Sequence, residues 1–374
     1  MKKSYVTYKF RIYPNRQQIQ QIEKTYKCCQ EIWNLMLEDS LDLFLSSNQI
    51  KLRPAYAYTE KNPEFSEVDY SALVNVCMNL KDKYKLCLKE NYGKRAADKI
   101  CPKLKTSKNP RHSYSTIAKH GTTAFIGNKL RMPNLGLLKI AKHRQIPKDF
   151  TLCDVTVSRY AGKYYVEMRY SFYNKTPMVP KDEITHIGLD YKQNGLYVDS
   201  NGNIADMPHY FRQSEKKYSR QVRALDRKVK GSNNFIKQKL KVAKLAEHIT
   251  NQRKDFLHKL SNKLTDEYSL ISVESLDLQG IKGTHHFGKS INDNGYSYFV
   301  GLLEYKQKRK GHYLVKVDRY FPSSQLCQCG YLNPKAKNLN NETIICPCCG
   351  LVYNRDENAA RNIDKEGLRI FLEN

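Results

Sequence analysis

The chain has 374 residues, more than one hydrophobic core usually serves, so two or more domains are expected. It carries 64 Lys and Arg residues against 37 Asp and Glu residues, which gives a net charge of +27. A field of that strength favours nucleic acid over a small-molecule substrate. No stretch reaches the roughly 20 apolar residues that span a bilayer, and the first residues alternate between polar and apolar instead of forming a signal-peptide core. The composition therefore argues against a membrane protein and predicts a cytoplasmic one.

The first half of the chain shows strand patterns on either side of a helical pattern. Apolar and polar residues alternate up to Pro14, which predicts a strand, and from Arg16 the apolar residues recur every three or four positions, which predicts a helix. Alternation returns at residues 151–157 and 164–172, on the two sides of an Ala161-Gly162 turn, and predicts a hairpin. The simplest assembly is a barrel-like β domain, made from residues 1–14 and about 115–178, with a helical lobe inserted between its strands.

A second domain is predicted to begin near Lys181. One apolar strand leads to Asp190, and another, at residues 270–273, leads to Glu274. A helix is predicted to begin at Asp356, because an acidic residue suits the positive end of a helix dipole. Strands that first pair and then alternate with helices predict an α/β domain.

Three carboxylates, those of Asp190, Glu274 and Asp356, are the candidates for catalysis. Hydrolysis of a phosphodiester needs stabilisation of the attacking and the leaving oxygen together, and two divalent ions roughly 3.5–4 Å apart provide it. Such ions prefer oxygen ligands. Because Asp190 and Glu274 each follow an apolar strand, they could meet at one end of a sheet, where Asp356 could reach them from a helix. Each acid alone is more typical of a solvated strand end, so the inference depends on all three together.

Eleven cysteines, an odd number unevenly spread along the chain, are more typical of reduced thiols with a metal site than of a disulfide framework. Four of them form two pairs, each followed by glycine: Cys327 with Cys329, and Cys346 with Cys349. This arrangement predicts a four-cysteine zinc ribbon. The second pair has the usual two-residue spacing, whereas a single residue separates Cys327 from Cys329, and Cys348 offers a spare thiol. The open alternative is a relic that folds without metal.

Nine segments of the chain resemble TnpB, the family of RNA-guided nucleases that insertion sequences encode and that is related to the type V CRISPR effectors. The resemblance spans essentially the whole chain and lies in YKFRIYP at 8–14, IGLD at 187–190, YVDSNG at 197–202, FRQSEKK at 211–217, NQRKDFLHK at 251–259, FGKS at 287–290, VKVDR at 315–319, FPSSQ at 321–325 and DENAARN at 356–362. By position, the three acids match the family's catalytic residues and the four paired cysteines match its zinc ligands. The chain departs from the family at the short first cysteine pair and at Asn354, where relatives often have an acid.

The resemblance implies an α/β multidomain fold. A wedge β-barrel domain would comprise residues 1–14 and 115–180, and a helical recognition lobe would comprise residues 15–114. A RuvC nuclease domain of the ribonuclease H fold would follow at residues 181–374, with a zinc-ribbon insertion at residues 323–350.

The resemblance also implies an activity, that of a magnesium-dependent, RNA-guided DNA endonuclease of a transposable element. Two Mg²⁺ ions would be bound by Asp190, Glu274 and Asp356, and a structural Zn²⁺ by the paired cysteines. The partners would be a guide RNA from the element's end and double-stranded target DNA with a short flanking motif, with base pairing supplying specificity. The alternative is an RNA-guided DNA-binding repressor without cleavage, which the intact set of acids disfavours. A guide-independent nuclease rests on fold analogy alone.

Overall fold

A computed structural model of the chain describes residues 3–47, 52–89, 102–106, 112–118, 121–192, 195–276, 295–337 and 342–373. The chain forms two compact units, Met1–Asn174 and Lys175–Asn374. The finer division into wedge, recognition and nuclease domains stays a prediction. The FGKS segment at 287–290 lies outside the described residues.

The first unit is a seven-stranded antiparallel sheet with helices packed on it. The elements of this unit are β1 (Lys3–Tyr13), α1 (Arg16–Ser47), α2 (Tyr56–Thr59), α3 (Tyr70–Lys89), β2 (His112–Ile117), β3 (Ala124–Ile126), β4 (Lys129–Met132), β5 (Gly136–Ile140), β6 (Thr151–Tyr160) and β7 (Lys163–Tyr173). The strands follow the order β2-β6-β7-β1-β5-β4-β3, so the described ladders leave β2 and β3 at the edges, and closure into a barrel stays a prediction. The hairpin expected around Ala161 and Gly162 is confirmed as β6 and β7.

Helix α1 begins where the sequence places it because Asn15 and Gln18 form a capping box. The Asn15 side chain accepts a hydrogen bond from the Gln18 N–H at 2.8 Å, and the Gln18 side chain accepts one from the Asn15 N–H at 2.9 Å. The apolar face of the helix packs into the core of the unit, where Ile32 and Met36 are fully buried beside Phe10 of β1. The helical periodicity read from the sequence is therefore that of a core-facing helix.

The second unit is a five-stranded mixed sheet with helices around it. Its elements are β8 (His186–Tyr191), β9 (Tyr197–Asp199), β10 (Ile204–Ala205), α4 (Tyr210–Asp226), α5 (Asn233–Glu267), β11 (Leu270–Glu274), α6 (Tyr296–Lys310), β12 (Tyr313–Val317), β13 (Thr343–Ile345), β14 (Val352–Asn354) and α7 (Arg355–Glu373). Strands β8, β11 and β12 are parallel, β9 and β10 run antiparallel to their neighbours, and the order is β10-β9-β8-β11-β12. The expected α/β architecture is confirmed in this unit.

Helix α7 lies directly on β8 and β11. Gly367 of this helix meets Ser272 of β11 so closely that a Cβ atom on the glycine would overlap the serine hydroxyl. Ala359, Ala360 and Ile363 are buried on the same side of the helix. Small residues thus allow the helix backbone to approach the sheet closely.

The cysteines agree with the sequence expectation except at one position. Nine of them, among the residues described, carry free thiols, whereas Cys87 is disulfide-bonded. The expectation of reduced thiols is therefore wrong at Cys87. Across the described ranges, no helix is both long enough and apolar enough to cross a membrane.

Candidate active site and cysteine cluster

Asp190, Glu274 and Asp356 lie at the same end of the five-stranded sheet. Strands β8 and β11 are parallel neighbours in which Leu189 pairs with Val273, so Asp190 and Glu274 come next in register on adjacent strands. Asp356 lies in the first turn of α7, which packs across both strands. Each of the three residues keeps part of its surface exposed. Their position leaves them accessible to a substrate.

The three acids interact electrostatically. Burial raises the pKa of Asp190 well above its usual value, and the negative charges of Glu274 and Asp356 raise that pKa further. Burial also raises the pKa of Glu274. Neighbouring carboxylates resist ionisation because their negative charges repel one another. A divalent cation bound between them stabilises their ionised forms.

Two cationic side chains contact the carboxylate of Asp356. Arg355 donates to Oδ1 from Nε at 3.1 Å and from Nη2 at 2.6 Å. Lys192 places its Nζ 3.4 Å from the other oxygen, Oδ2. Both cations also lower the pKa of Asp190, against the effect of burial. The sequence reasoning missed these two residues, although each lies within two positions of a candidate acid.

Asn354 caps the helix that carries Asp356. Its Oδ1 accepts hydrogen bonds from the N–H groups of Asp356 at 3.0 Å and of Glu357 at 3.1 Å. An asparagine side chain at this position satisfies N–H groups that have no partner within the helix. The departure from the family at Asn354 therefore places a helix cap directly before the candidate catalytic acid.

The four paired cysteines converge into one cluster. The sulfur atoms of Cys327, Cys329, Cys346 and Cys349 all lie within 4.8 Å of one another. Cys327 Sγ is 3.7 Å from Cys349 Sγ, and Cys329 Sγ is 3.7 Å from Cys346 Sγ. Four sulfurs at about 2.3 Å from a tetrahedral zinc would be about 3.8 Å apart, so the cluster can hold such an ion. Cys348 is exposed and lies outside the cluster.

The short first pair is accommodated by a tighter turn. In the second pair the Gly350 N–H donates to the Cys346 carbonyl, four residues back, at 2.9 Å. In the first pair the Gly330 N–H donates to the Cys327 carbonyl, three residues back, at 2.9 Å. Both glycines have positive φ, +85° at Gly330 and +72° at Gly350. A turn one residue shorter therefore still brings its two sulfurs into the cluster.

Two buried asparagines of α7 attach the helix to the segment that leads into the cysteine cluster. Asn358 Nδ2 donates to the Leu326 carbonyl at 2.8 Å. Asn362 Nδ2 donates to the Leu326 carbonyl at 2.6 Å and to the Ser323 carbonyl at 2.8 Å. Both asparagines are almost fully buried. The residue before Cys327 is thus hydrogen-bonded to the helix that carries Asp356.

Three family profiles match the chain. The profile of the OrfB_IS605 family, described as a probable transposase, matches residues 167–284. The Cas12f1-like TNB domain matches residues 296–363, and a helix-turn-helix domain of OrfB_IS605 matches residues 1–44. The residues of this last match form β1 and α1 here, which are a strand and one long helix.

Two relatives and one solved structure are similar to the chain over much of its length. A protein of Streptomyces pristinaespiralis named RNA-guided DNA endonuclease is 30% identical over 377 residues, covering 96% of this chain and 89% of that protein. InsQ of Escherichia coli, named in the same way, is 28% identical over 259 residues, covering 65% of this chain and 63% of InsQ. Cas12f1, solved in complex with sgRNA and target DNA, has a TM-score of 0.59 at 16% identity, covering 93% of this chain and 82% of that one.

The fold is therefore a mixed α/β fold like that of the Cas12 effectors, with a TNB domain in its second unit. The chain belongs to the TnpB family of insertion-sequence proteins, as its sequence motifs indicate.

Proposed function

We propose that this protein is an RNA-guided DNA endonuclease of a transposable element, which hydrolyses target DNA at Asp190, Glu274 and Asp356. The observation that carries the proposal is the meeting of these three acids at one sheet end in a chain of this family. The domain around them would be a RuvC domain of the ribonuclease H fold. A binding protein without cleavage would have no need to place two acids, Glu274 and Asp356, where their charges raise the pKa of a third, Asp190.

The donor set fits magnesium. Mg²⁺ is a hard cation that binds carboxylate oxygens, and the three acids offer oxygen atoms alone. Two bound Mg²⁺ ions would supply an activated water and would stabilise the charge on the attacking and leaving oxygens.

The chain's own residues prepare the site for the metal and for the DNA. Asp190 and Glu274 are fixed by adjacent parallel strands, so their carboxylates converge without a loop rearrangement. Arg355 and Lys192 balance the charge of Asp356 in the metal-free protein. With Mg²⁺ bound to the acids, both side chains would be available to phosphate oxygens of the DNA. Buried acids that repel one another would bind the cation more tightly as pH rises, because binding requires their ionised form.

The partners follow from the charge and from the family. A guide RNA would occupy basic surface, since a net charge of +27 suits a polyanion. Base pairing between guide and target would supply sequence specificity, and the protein would read a short flanking motif. The cysteine cluster would hold a structural zinc ion that orders the segment between β12 and α7.

The test compares cleavage and binding in one set of variants. Asp190→Ala should abolish magnesium-dependent cutting of target DNA, while guide and target binding stay within a few fold of wild type, because the contacts to the nucleic-acid backbone lie elsewhere. Glu274→Gln and Asp356→Asn should behave alike. Asp226→Ala, an exposed acid at the end of α4, serves as the matched control. Cutting by Asp190→Ala at the wild-type rate would remove this residue from the site, and binding without cutting by the wild-type protein would favour the repressor.

A further inference from the structure

A cavity of about 490 Å³ opens beside Glu274. Glu274 and Leu276 form one wall, and Tyr296 and Ser297 at the start of α6 form another. Its volume lies within the range of small-ligand sites, which is enough for one nucleotide unit. Of the described residues that line it, Glu274 alone has a role in the function proposed above.

The charge of the cavity favours an anion beside the candidate acids. Among the described residues that line it, the charged side chains besides Glu274 are the cations Lys316 and Arg319, and both are exposed. Lys316 pairs with Glu304 at 3.0 Å, but both side chains are largely exposed and such a pair is weak. Arg319 lies over the Tyr320 ring, 5.4 Å from its centroid. An arginine in this position can offer two parallel donors to a phosphate.

The start of α6 adds backbone donors to the same cavity. The helix begins at Tyr296, and its N-cap is Gly295, which has no side-chain cap. Uncapped N–H groups together with the helix dipole form a favourable site for phosphate. Ser297, in the first turn, contributes an exposed hydroxyl to the lining.

Tyr296 is an independent sign of a missing ligand. Its side chain is 2% exposed, and its hydroxyl has no hydrogen-bond partner among the residues that the structure describes. A buried hydroxyl without a partner costs about 1–3 kcal/mol, so it is rarely retained without a use. The hydroxyl interacts electrostatically with Asp190 and Glu274, and Tyr296 is one of the residues that line the cavity.

We infer that this cavity binds one nucleotide of the DNA strand being cut, next to the bond that is hydrolysed. Arg319, Lys316 and the start of α6 would hold its phosphate. The Tyr296 hydroxyl would hydrogen-bond to the nucleotide, and the side chain of Leu276 would form the apolar side of the site, against the sugar or base. This inference rests on the proposed function and names a substrate subsite within it.

The first experiment measures the cutting rate of the complete complex of protein, guide RNA and target DNA in a single turnover. Arg319→Ala should cut about tenfold more slowly, because a charge-assisted contact to phosphate is lost. Arg319→Lys should lose less of the rate than Arg319→Ala, because the positive charge remains although the paired donors are lost. The magnesium concentration that gives half the maximal rate should not change in either variant, since Arg319 is not a metal ligand. Arg309→Ala, near the end of α6 and outside the cavity, should cut like wild type.

Tyr296→Phe provides a variant that cannot fail by unfolding. It removes a hydroxyl that has no partner, so its melting temperature should equal or exceed that of wild type. Its cutting rate should nevertheless fall severalfold. If Tyr296→Phe and Arg319→Ala both cut at the wild-type rate, the subsite does not exist.

A photo-crosslinking arm separates this inference from the proposed function. A single-stranded oligonucleotide that carries 5-iodouracil is irradiated with the full-length protein without guide RNA, and the crosslinked peptides are identified by mass spectrometry. Crosslinks within residues 295–300 support the subsite even if guided cutting is never observed. Crosslinks confined to other segments overturn it even if guided cutting is confirmed.

Discussion

Gly188 of β8 lies so close to Ala360 of α7 that a Cβ atom on the glycine would overlap the Ala360 carbonyl oxygen. Asp190 is two residues beyond this contact on the strand, and Asp356 is one helical turn before it on the helix. The distance between two of the candidate catalytic acids is therefore set by a glycine.

Gly188→Ala should damage both stability and cutting. The overlap is with backbone atoms, which cannot move aside as a flexible side chain can, so we expect a loss of about 3 kcal/mol in the free energy of unfolding. Cutting should fall further than stability alone explains, because α7 carries Asp356.

Gly301→Ala is the matched control. Gly301 has open space around it within α6, so its replacement should be neutral or stabilise by about 0.5–1 kcal/mol. Chemical denaturation and single-turnover cutting measure the two effects, and equal behaviour of both variants would contradict the close contact.

The cap at Asn354 gives a second prediction. Asn354→Ala should lower the free energy of unfolding by about 1 kcal/mol, because two N–H groups of α7 lose their acceptor. Asn354→Asp should keep the cap and add a negative charge at the helix start, where it is favourable. We expect tighter Mn²⁺ binding in Asn354→Asp than in wild type, as measured by calorimetry. Unchanged stability in Asn354→Ala would show that this cap is dispensable.

The raised pKa of Asp190 predicts how the stability of the metal-free protein depends on pH. In the unfolded chain Asp190 loses its proton near its usual pKa of 3.8, whereas in the folded protein it keeps the proton to a higher pH. Between these two pKa values the folded state therefore binds more protons than the unfolded state. Stability should therefore fall as pH rises from about 4 through the raised pKa of the folded state, and should level off above it. Asp190→Asn should remove this part of the slope and should be more stable than wild type at neutral pH. Denaturation midpoints measured between pH 4 and 8 without divalent ions test this pH dependence, with Asp226→Asn as the control. An Asp190→Asn slope equal to that of wild type would place the proton elsewhere.

The sequence could predict the elements that depend on local pattern. Alternation fixed the strand before Pro14, and apolar runs that end in an acid identified β8 and β11. The residues that hold the site together were missed, because their roles depend on partners far away in sequence. Asn362 donates to a carbonyl 36 residues earlier, and Tyr296 is buried by the packing of α6 on the sheet. Nothing local distinguishes such an asparagine from a solvated one.

The cysteine cluster predicts selective zinc binding. Protein purified without chelator should contain about one zinc ion per chain, because four sulfurs already lie at distances that suit tetrahedral coordination. Cys346→Ser should lose the ion and lower the melting temperature. Cys348→Ser should keep the zinc ion and the wild-type melting temperature, since Cys348 is exposed and outside the cluster. Elemental analysis of the three proteins decides the matter. Parent protein without zinc but with full cutting would make the segment a metal-free relic, and loss of zinc from Cys348→Ser would assign the fourth ligand differently.

The hydrogen bonds of Asn362 predict that the cysteine cluster and the candidate catalytic acids are mechanically connected. Asn362→Ala removes the donor to two buried carbonyls, those of Leu326 and Ser323, which should cost about 1–3 kcal/mol in the free energy of unfolding. Because Leu326 precedes the candidate zinc ligand Cys327 and α7 carries Asp356, zinc removal should weaken Mn²⁺ binding at the acids in wild-type protein. In Asn362→Ala the same zinc removal should have a smaller effect, since part of the connection is already broken.

Asn262→Ala serves as the control, because Asn262 is an exposed asparagine on α5. Calorimetric Mn²⁺ titrations before and after chelation of zinc measure this coupling, and an identical loss of affinity in wild type and Asn362→Ala would show that the zinc ion acts on the acids by another route.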